Sequence, residues 1–229
     1  MTTGPIEDRD WPTHLRARIV EPGPAPRLHG FDVQNDLARH YRFGESVLIA
    51  LTGEAPDEAA GRAFDVAMIF GSAISVLEAP AHAATLARVC GARTSGIQAV
   101  AATTLAERAR KIYDDLEPAI PRLVVGSLNG MAARLAPRSE AERDAVGRLR
   151  RALGAFVARV PALGYDLGLD AALLAVLLAC GVRTREQIEC ALCVAGLATT
   201  CAEAFAATPG DHRSYPLDLP KFVYEEARS

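Results

Sequence analysis

Apolar residues recur along this chain at helical spacing, and alternating runs of β-branched residues are scarce. Alanine and leucine dominate, which favours helix nearly throughout and places the chain in the all-α class. Val33 to His40 reads as a short helix with Asp32 placed to cap it. Glu45 to Leu51 reads as a second helix, ended by Gly53. Pro56-Asp57-Glu58 opens a long helix, with proline at an early position and acids in the first turn, that can run to about Leu77. Pro80 begins a further short helix. Ser95 to Leu116 forms another long one, broken by Pro118 and Pro121.

In the second half, Ser139-Glu140-Ala141-Glu142 reads as a capping box, with a helix following to about Val160. Asp170 stands where an N-cap stands before the apolar helix Ala171 to Cys180, which Gly181 terminates. Thr184-Arg185-Glu186-Gln187 is a second capping box, opening a helix that reaches about Ala207. Ala171 to Cys180 is apolar on every side, so it belongs inside a bundle or at a subunit interface. Two-fold dimers are the commonest soluble oligomers, and a homodimer with this helix near its centre is expected. Pro22, Pro24 and Pro26 mark residues 1–29 as an irregular arm, and the tail from Pro209 is expected to be irregular as well.

Composition adds limits. The chain has 229 residues, half of them apolar, enough to bury a sizeable core. The net charge is −3 and no basic block forms a nucleic-acid footprint; the Arg148-Leu149-Arg150-Arg151 segment reads as a solvated helix face. Met1 to Trp11 resembles neither a signal nor a transit peptide. The strongly apolar run Ala171 to Cys180 is shorter than the ~20 residues a bilayer span needs. A cytoplasmic protein without membrane or nucleic-acid partners is the expectation. The five cysteines are Cys90, Cys180, Cys190, Cys193 and Cys201, an odd count that argues against a disulfide framework. Cys190 and Cys193 form a CxxC without the second pair that zinc requires, so they read as small buried residues of an alanine-rich helix. No metal is expected. Gly126-Ser127-Leu128-Asn129-Gly130 lacks the following lysine and the flanks of a phosphate loop.

A series of short features between Trp11 and Pro56 carries a family likeness. Trp11 and Thr13 are followed by Gly30-Phe31-Asp32, Asp36-Leu37, Phe43 with Glu45, Leu51 with Gly53-Glu54, and Pro56. Leu169-Asp170 with its apolar helix, Gly181, and the segment from Gly196-Leu197 to Glu203 extend the series. In order and spacing these resemble the citrate synthase and citryl-CoA lyase family. The likeness covers most of the chain, with a compressed centre at about 105–165 that would be a reduced small-domain lobe within a helical domain spanning 30–229.

The resemblance implies carbon–carbon bond chemistry beside a CoA thioester. Such chemistry requires a base for the α-proton and donors for the enol oxygen. In the family an aspartate is the base, histidines are donors and arginines hold substrate carboxylates. Asp170 matches the catalytic aspartate; read without the family it is an ordinary N-cap. The family histidines have no counterparts. Gly71-Ser72-Ala73 stands in place of Asp-His-Gly, Ala109-Arg110-Lys111-Ile112-Tyr113 in place of His-Gly-Gly-Ala, and Asn129 near the position of the third histidine. An amide still donates a hydrogen bond, so Asn129 is a candidate oxyanion stabiliser, and Ser72 a candidate substrate contact. Ala136-Pro137-Arg138 matches the family's Asp-Pro-Arg, which makes Arg138 a candidate carboxylate clamp; otherwise it is a surface residue before a capped helix. Cys193 aligns with a family arginine and Thr200 with a histidine. Arg228, after Tyr224, matches a terminal arginine that reaches the partner subunit. Of the five histidines, His14, His29, His40, His82 and His212, only His82 lies close to the region that lines the family's site, where it is either a replacement proton carrier or structural.

Three functions stand as alternatives. The first is a lyase or acyltransferase acting on a CoA thioester or a citrate-like acid, with the thioester as substrate and no tightly bound cofactor. The lost histidines argue against ordinary citrate synthesis. The second is a catalytically inactive relative that serves as a binding or regulatory subunit, which the compressed centre favours, because a trimmed lid no longer excludes water. The third is a helical partner-binding protein with a likeness of fold alone.

Overall fold

The chain enters its helical body through a small antiparallel sheet. In a computed structural model, which describes residues 16–128 and 130–210, β1 (Val20–Glu21), β2 (Arg27–Leu28) and β3 (Phe31–Asp32) pair in that order. The segment 16–29 is therefore not wholly irregular: Val20 faces Leu28 across the first pair, and Leu28 faces Phe31 across the second. His29 and Gly30 both take positive φ, 49° and 87°, the backbone that a two-residue primed hairpin turn demands. The His29 ring also lies 3.3 Å from the Ala50 carbonyl, which pins the turn to the helix below.

Asp32 ends β3 and caps the next turn, as expected, accepting from the Gln34 and Asn35 N–H groups at 2.9 and 2.7 Å. The capped turn, Val33–Leu37, is π-helical and continues into α1 (Ala38–His40). α2 (Phe43–Thr52) closes at Gly53, whose φ of 78° supplies the left-handed cap. α3 (Glu58–Gly71) is capped by the Asp57 side chain, and Pro56 lies outside the helix. It ends six residues earlier than its hydrophobicity suggests. There the Ser72 N–H and hydroxyl both donate to the Ile69 carbonyl, and Ile74 is buried beneath other helices instead.

α4 (Ala79–Val89), α5 (Thr94–Leu116) and α10 (Arg185–Ala206) pack together as a trio. Ala84, Ile97, Ala101, Cys201 and Ala204 fill their common seam. Small residues permit the close approach: a Cβ at Gly196 would lie 2.9 Å from atoms of Ile74 and Leu105. The Thr184–Gln187 capping box opens α10 as read from sequence, and Gln187 also reaches the Leu51 carbonyl at 2.8 Å. α10 is long and apolar enough to cross a bilayer by composition, but Ile188, Ala191, Gly196 and Ala204 are buried against its neighbours in the fold.

The remaining elements are α6 (Ile120–Val125), α7 (Ala132–Leu135), α8 (Glu140–Leu153) and α9 (Leu169–Ala179). α8 stops at Gly154, φ 54°, short of the expected Val160, and two 3₁₀ segments replace the missing turns. α9 is the central helix. Residues Ala171 to Leu177 are all buried, among them Leu173, Leu174 and Leu177. Each such leucine contributes ~1.5–3 kcal/mol by leaving water. The burial is complete within one chain, so the apolar character of α9 reflects the bundle core and is no argument for a partner subunit. The segment 105–165 shares this core: Ala109, Ile112, Leu149 and Phe156 pack in one cluster with Phe64 of α3 and Leu174 of α9.

Candidate functional site

The start of α9 carries the candidate base. Gly168, not Asp170, occupies the N-cap position, so Asp170 lies inside the first turn and does not cap the helix. The reason is Glu142 of α8. Its carboxylate accepts from the Leu169 N–H at 2.8 Å and from the Arg138 N–H at 2.6 Å. Ser139 caps α8 as expected by accepting from the Glu142 N–H, but the returning half of the box is absent because the glutamate is turned to Arg138 and Leu169. One side chain thus joins the Arg138 turn to the helix that presents Asp170.

The Asp170 side chain keeps 39% of its accessible surface. Among the described residues its carboxylate makes an ion pair but no hydrogen bond, so its oxygens remain open to an incoming group. The ion-pair partner is Arg108 of α5, with Nη2 3.9 Å from Oδ1. Arg108 is fixed from its other side, where Nε donates to Glu78 Oε2 at 2.9 Å. Glu78 stands at the N-cap of α4, and its other oxygen accepts from the Ser75 N–H at 3.1 Å. Burial pushes the Asp170 carboxyl above the usual aspartate value, against the pull of the Arg108 and Arg138 guanidinium groups; Glu142 and Glu78 push the same way as burial. A carboxylate of raised basicity without competing donors, near two cations, is equipped to accept a proton.

An open cleft of about 470 Å³ borders this cluster, lined by Glu78, Ala79, Pro80, Thr104, Arg108 and Lys111 among others. Its walls set apolar surface at Ala79 and Pro80 beside charges of both signs: Glu78 and Glu107 line it with Arg108, Arg110 and Lys111, and each of these cations is paired with a carboxylate.

The structure brings together some of the residues read from sequence and separates others. Asp170 and Arg138 fall in one charged cluster. Ser72 does not offer its hydroxyl there, since it donates to Ile69, and its carbonyl accepts from Thr199. Gly71 does approach α9, with its Cβ position 3.9 Å from Leu173. His82 is on the exposed face of α4; Glu78, at the start of the same helix, is the group that reaches Arg108. Asn129 and Arg228 lie outside the described residues. Cys193 packs with Ile74, Ala81 and Leu105, and Thr200 is fully buried with its hydroxyl unpartnered among the described residues. Sequence reading missed Arg108, Glu78 and Glu142. Arg108 directly precedes the segment matched to a family histidine motif, but its partners are 30 and 62 positions away, so no local spacing marks it.

The fold can be placed among known ones. A citryl-CoA lyase from Hydrogenobacter thermophilus superposes with a TM-score of 0.67 at 14% identity, covering 94% of this chain and 96% of that one. This chain has the citryl-CoA lyase fold. An ATP citrate lyase from Methanothrix soehngenii, solved with citrate and coenzyme A, matches with a TM-score of 0.63 at 12% identity over 96% of this chain and 44% of that one. A mutant ATP citrate lyase from Methanosaeta concilii, solved with (3S)-citryl-CoA, matches with a TM-score of 0.60 at 13% identity over 94% and 43%. No family model and no curated protein matches. The helical citryl-CoA lyase-like architecture anticipated from the Trp11–Pro56 series and the Leu169-Asp170 helix is thus borne out at the level of fold.

Proposed function

We propose that the protein binds a CoA thioester or a citrate-like carboxylate and enolises it, with Asp170 as general base, in a carbon–carbon bond cleavage or formation. The observation that carries this reading is the Asp170 carboxylate itself: part-buried, raised in basicity, without a hydrogen bond among the described residues, and near Arg108 and Arg138, with Arg108 in turn lining an open cleft. The base takes the α-proton, breaking the C–H bond, and the electron pair moves onto the thioester oxygen. Arg138 is the candidate anchor for a substrate carboxylate. The solved structures of similar fold that hold citrate, coenzyme A or citryl-CoA support the ligand class. No tightly bound cofactor enters this scheme.

A specific observation favours a second reading, an inactive relative that binds without turnover. Thr200, the position matched to a family histidine, is fully buried, and Cys193, matched to a family arginine, is part-buried against Ile74, Ala81 and Leu105. A homodimer belongs to either reading, supported by exposed apolar residues on α3 and α10: Ile69, Val194 and Phe205.

Calorimetric titration of acetyl-CoA, free CoA and citrate into wild type and Asp170→Asn tests the proposal. Binding that changes on the substitution, followed by cleavage of citryl-CoA, supports the enzyme. Binding without cleavage supports the second reading. Absence of binding for all three ligands removes both.

A further inference from the structure

We infer that Arg108 is the electrophilic partner of Asp170: its guanidinium, anchored on Glu78, donates to the oxygen of a thioester enolate seated in the adjoining cleft. The inference rests on the enolising function proposed above and names a residue for the part of that chemistry which the missing histidines leave vacant.

The geometry carries it. A guanidinium presents five N–H groups in one plane. In Arg108 the Nε edge is bound to Glu78 at 2.9 Å, while Nη2 stands 3.9 Å from the Asp170 carboxylate, beyond hydrogen-bond length. Among the described residues neither Nη group makes a hydrogen bond, although the side chain is only 28% exposed and lines the cleft. Donors held in place by an anchor, shielded in part from solvent and without a hydrogen-bond partner among the described residues are placed to stabilise developing negative charge with little reorganisation at the moment of reaction. The gap between Arg108 and Asp170 is wide enough that the two groups can act on neighbouring atoms of one substrate: the carboxylate on the α-carbon, the guanidinium on the carbonyl oxygen.

The balance is simple. Asp170 takes the proton, the C–H electron pair forms the enolate, and Arg108 lends N–H donors without giving up a proton, since its guanidinium stays charged. In the absence of a second substrate the proton returns to carbon. The half-reaction is therefore visible as exchange of the acetyl protons of acetyl-CoA with deuterated water.

The experiment monitors that exchange by NMR in wild type, Asp170→Asn, Arg108→Ala, Arg108→Gln, Arg108→Lys and Glu78→Gln, with the Kd for free CoA measured on each. Expected are exchange by wild type, its loss in Asp170→Asn, and a fall of roughly 10²–10³-fold in Arg108→Ala and Arg108→Gln with CoA affinity retained. Arg108→Lys, which keeps a charge but not the planar fork, recovers part of the rate, and Glu78→Gln gives a smaller fall. A purely structural role would not move the pH profile. Here the acid limb of the exchange rate shifts upward in Arg108→Gln, because Asp170 loses a cation and retains Glu78 and Glu142 opposite Arg138. If Arg108→Ala fails to fold, the nearly isosteric Gln variant reads the same quantity. Exchange in Arg108→Gln at the wild-type rate overturns the inference while Asp170 keeps its role. Absence of both CoA binding and exchange in wild type overturns the proposed function, and the inference with it.

Discussion

Glu142 accepts the backbone N–H of Leu169 at 2.8 Å, which ties α8 to the first turn of α9. The same carboxylate accepts the Arg138 N–H at 2.6 Å, so base and candidate clamp share a support. A helix start leaves its first N–H groups without partners, and a glutamate from another helix serves in place of a local cap. The contact is close: a Cβ at Gly168 would lie 2.9 Å from Glu142 Oε1.

Removing that support has a measurable cost. Glu142→Ala leaves two backbone donors without their acceptor and loses an anion at a helix N-terminus, a destabilisation of about 1–2 kcal/mol. Glu142→Gln keeps one acceptor oxygen and costs less. Chemical denaturation of the three proteins gives the order. An Ala variant as stable as wild type would show that water replaces the carboxylate without penalty.

Much of the fold is legible locally. Asp32, Gly53 and the Thr184–Gln187 box act within a few residues of themselves, and each ends or begins a helix where the spacing places it. The ends of α3 and α8 are not legible, because tertiary contacts decide them: Ile74 is buried under α5 and α10, and Gly154 turns the chain into 3₁₀ segments that bring Leu163 to the core. The candidate site divides in the same way. Asp170 is marked by the apolar helix behind it. Arg108 and Glu78 meet across 30 positions, and only folding brings them together.

The raised basicity of Asp170 also makes it a stability liability. A carboxyl whose folded value exceeds its unfolded value binds its proton more tightly in the folded state, so the ionised form destabilises the fold. Asp170→Asn therefore melts above wild type at neutral pH. The difference shrinks as pH falls through the folded-state value and vanishes below the unfolded value near 3.8. Thermal melts of both proteins across the acid range check the sign. A variant that melts lower at neutral pH would mean that the Arg108 ion pair outweighs the cost of burial.

The cysteines separate by reactivity. Burial pushes the Cys180 thiol up to about 12, while Cys90 and Cys190 are exposed. The thiolate is the reacting form, so at mildly alkaline pH an alkylating reagent labels Cys90 and Cys190 first and Cys180 only when the chain unfolds. Burial raises the Cys193 and Cys201 thiols as well; Cys193 is half-buried and follows the exposed pair, whereas Cys201 is as buried as Cys180 and is labelled late. Peptide mapping over a labelling time course gives the order directly. Labelling of Cys180 together with Cys190 in native protein would show that the core around α9 opens.

Gly126 tests the reading of the segment that lacks a phosphate loop. It ends α6 with φ 72°, and a Cβ there would lie 2.3 Å from the Pro161 side chain and 3.1 Å from its carbonyl carbon. Gly126→Ala therefore meets two penalties, a left-handed backbone that disfavours L side chains by roughly 1–2 kcal/mol and a clash with a rigid proline ring. The clash displaces the 3₁₀ segment Pro161–Gly164, which packs on α6 and α9. A loss of at least about 2 kcal/mol in denaturant unfolding is expected from the sum. Because Asp170 sits on α9, the loss should be accompanied by weaker acetyl-CoA binding, whereas Gly91→Ala, also left-handed but with open space around its Cβ, meets the backbone penalty alone and leaves binding unchanged. Equal destabilisation by the two variants would mean that Pro161 yields to the added methyl group.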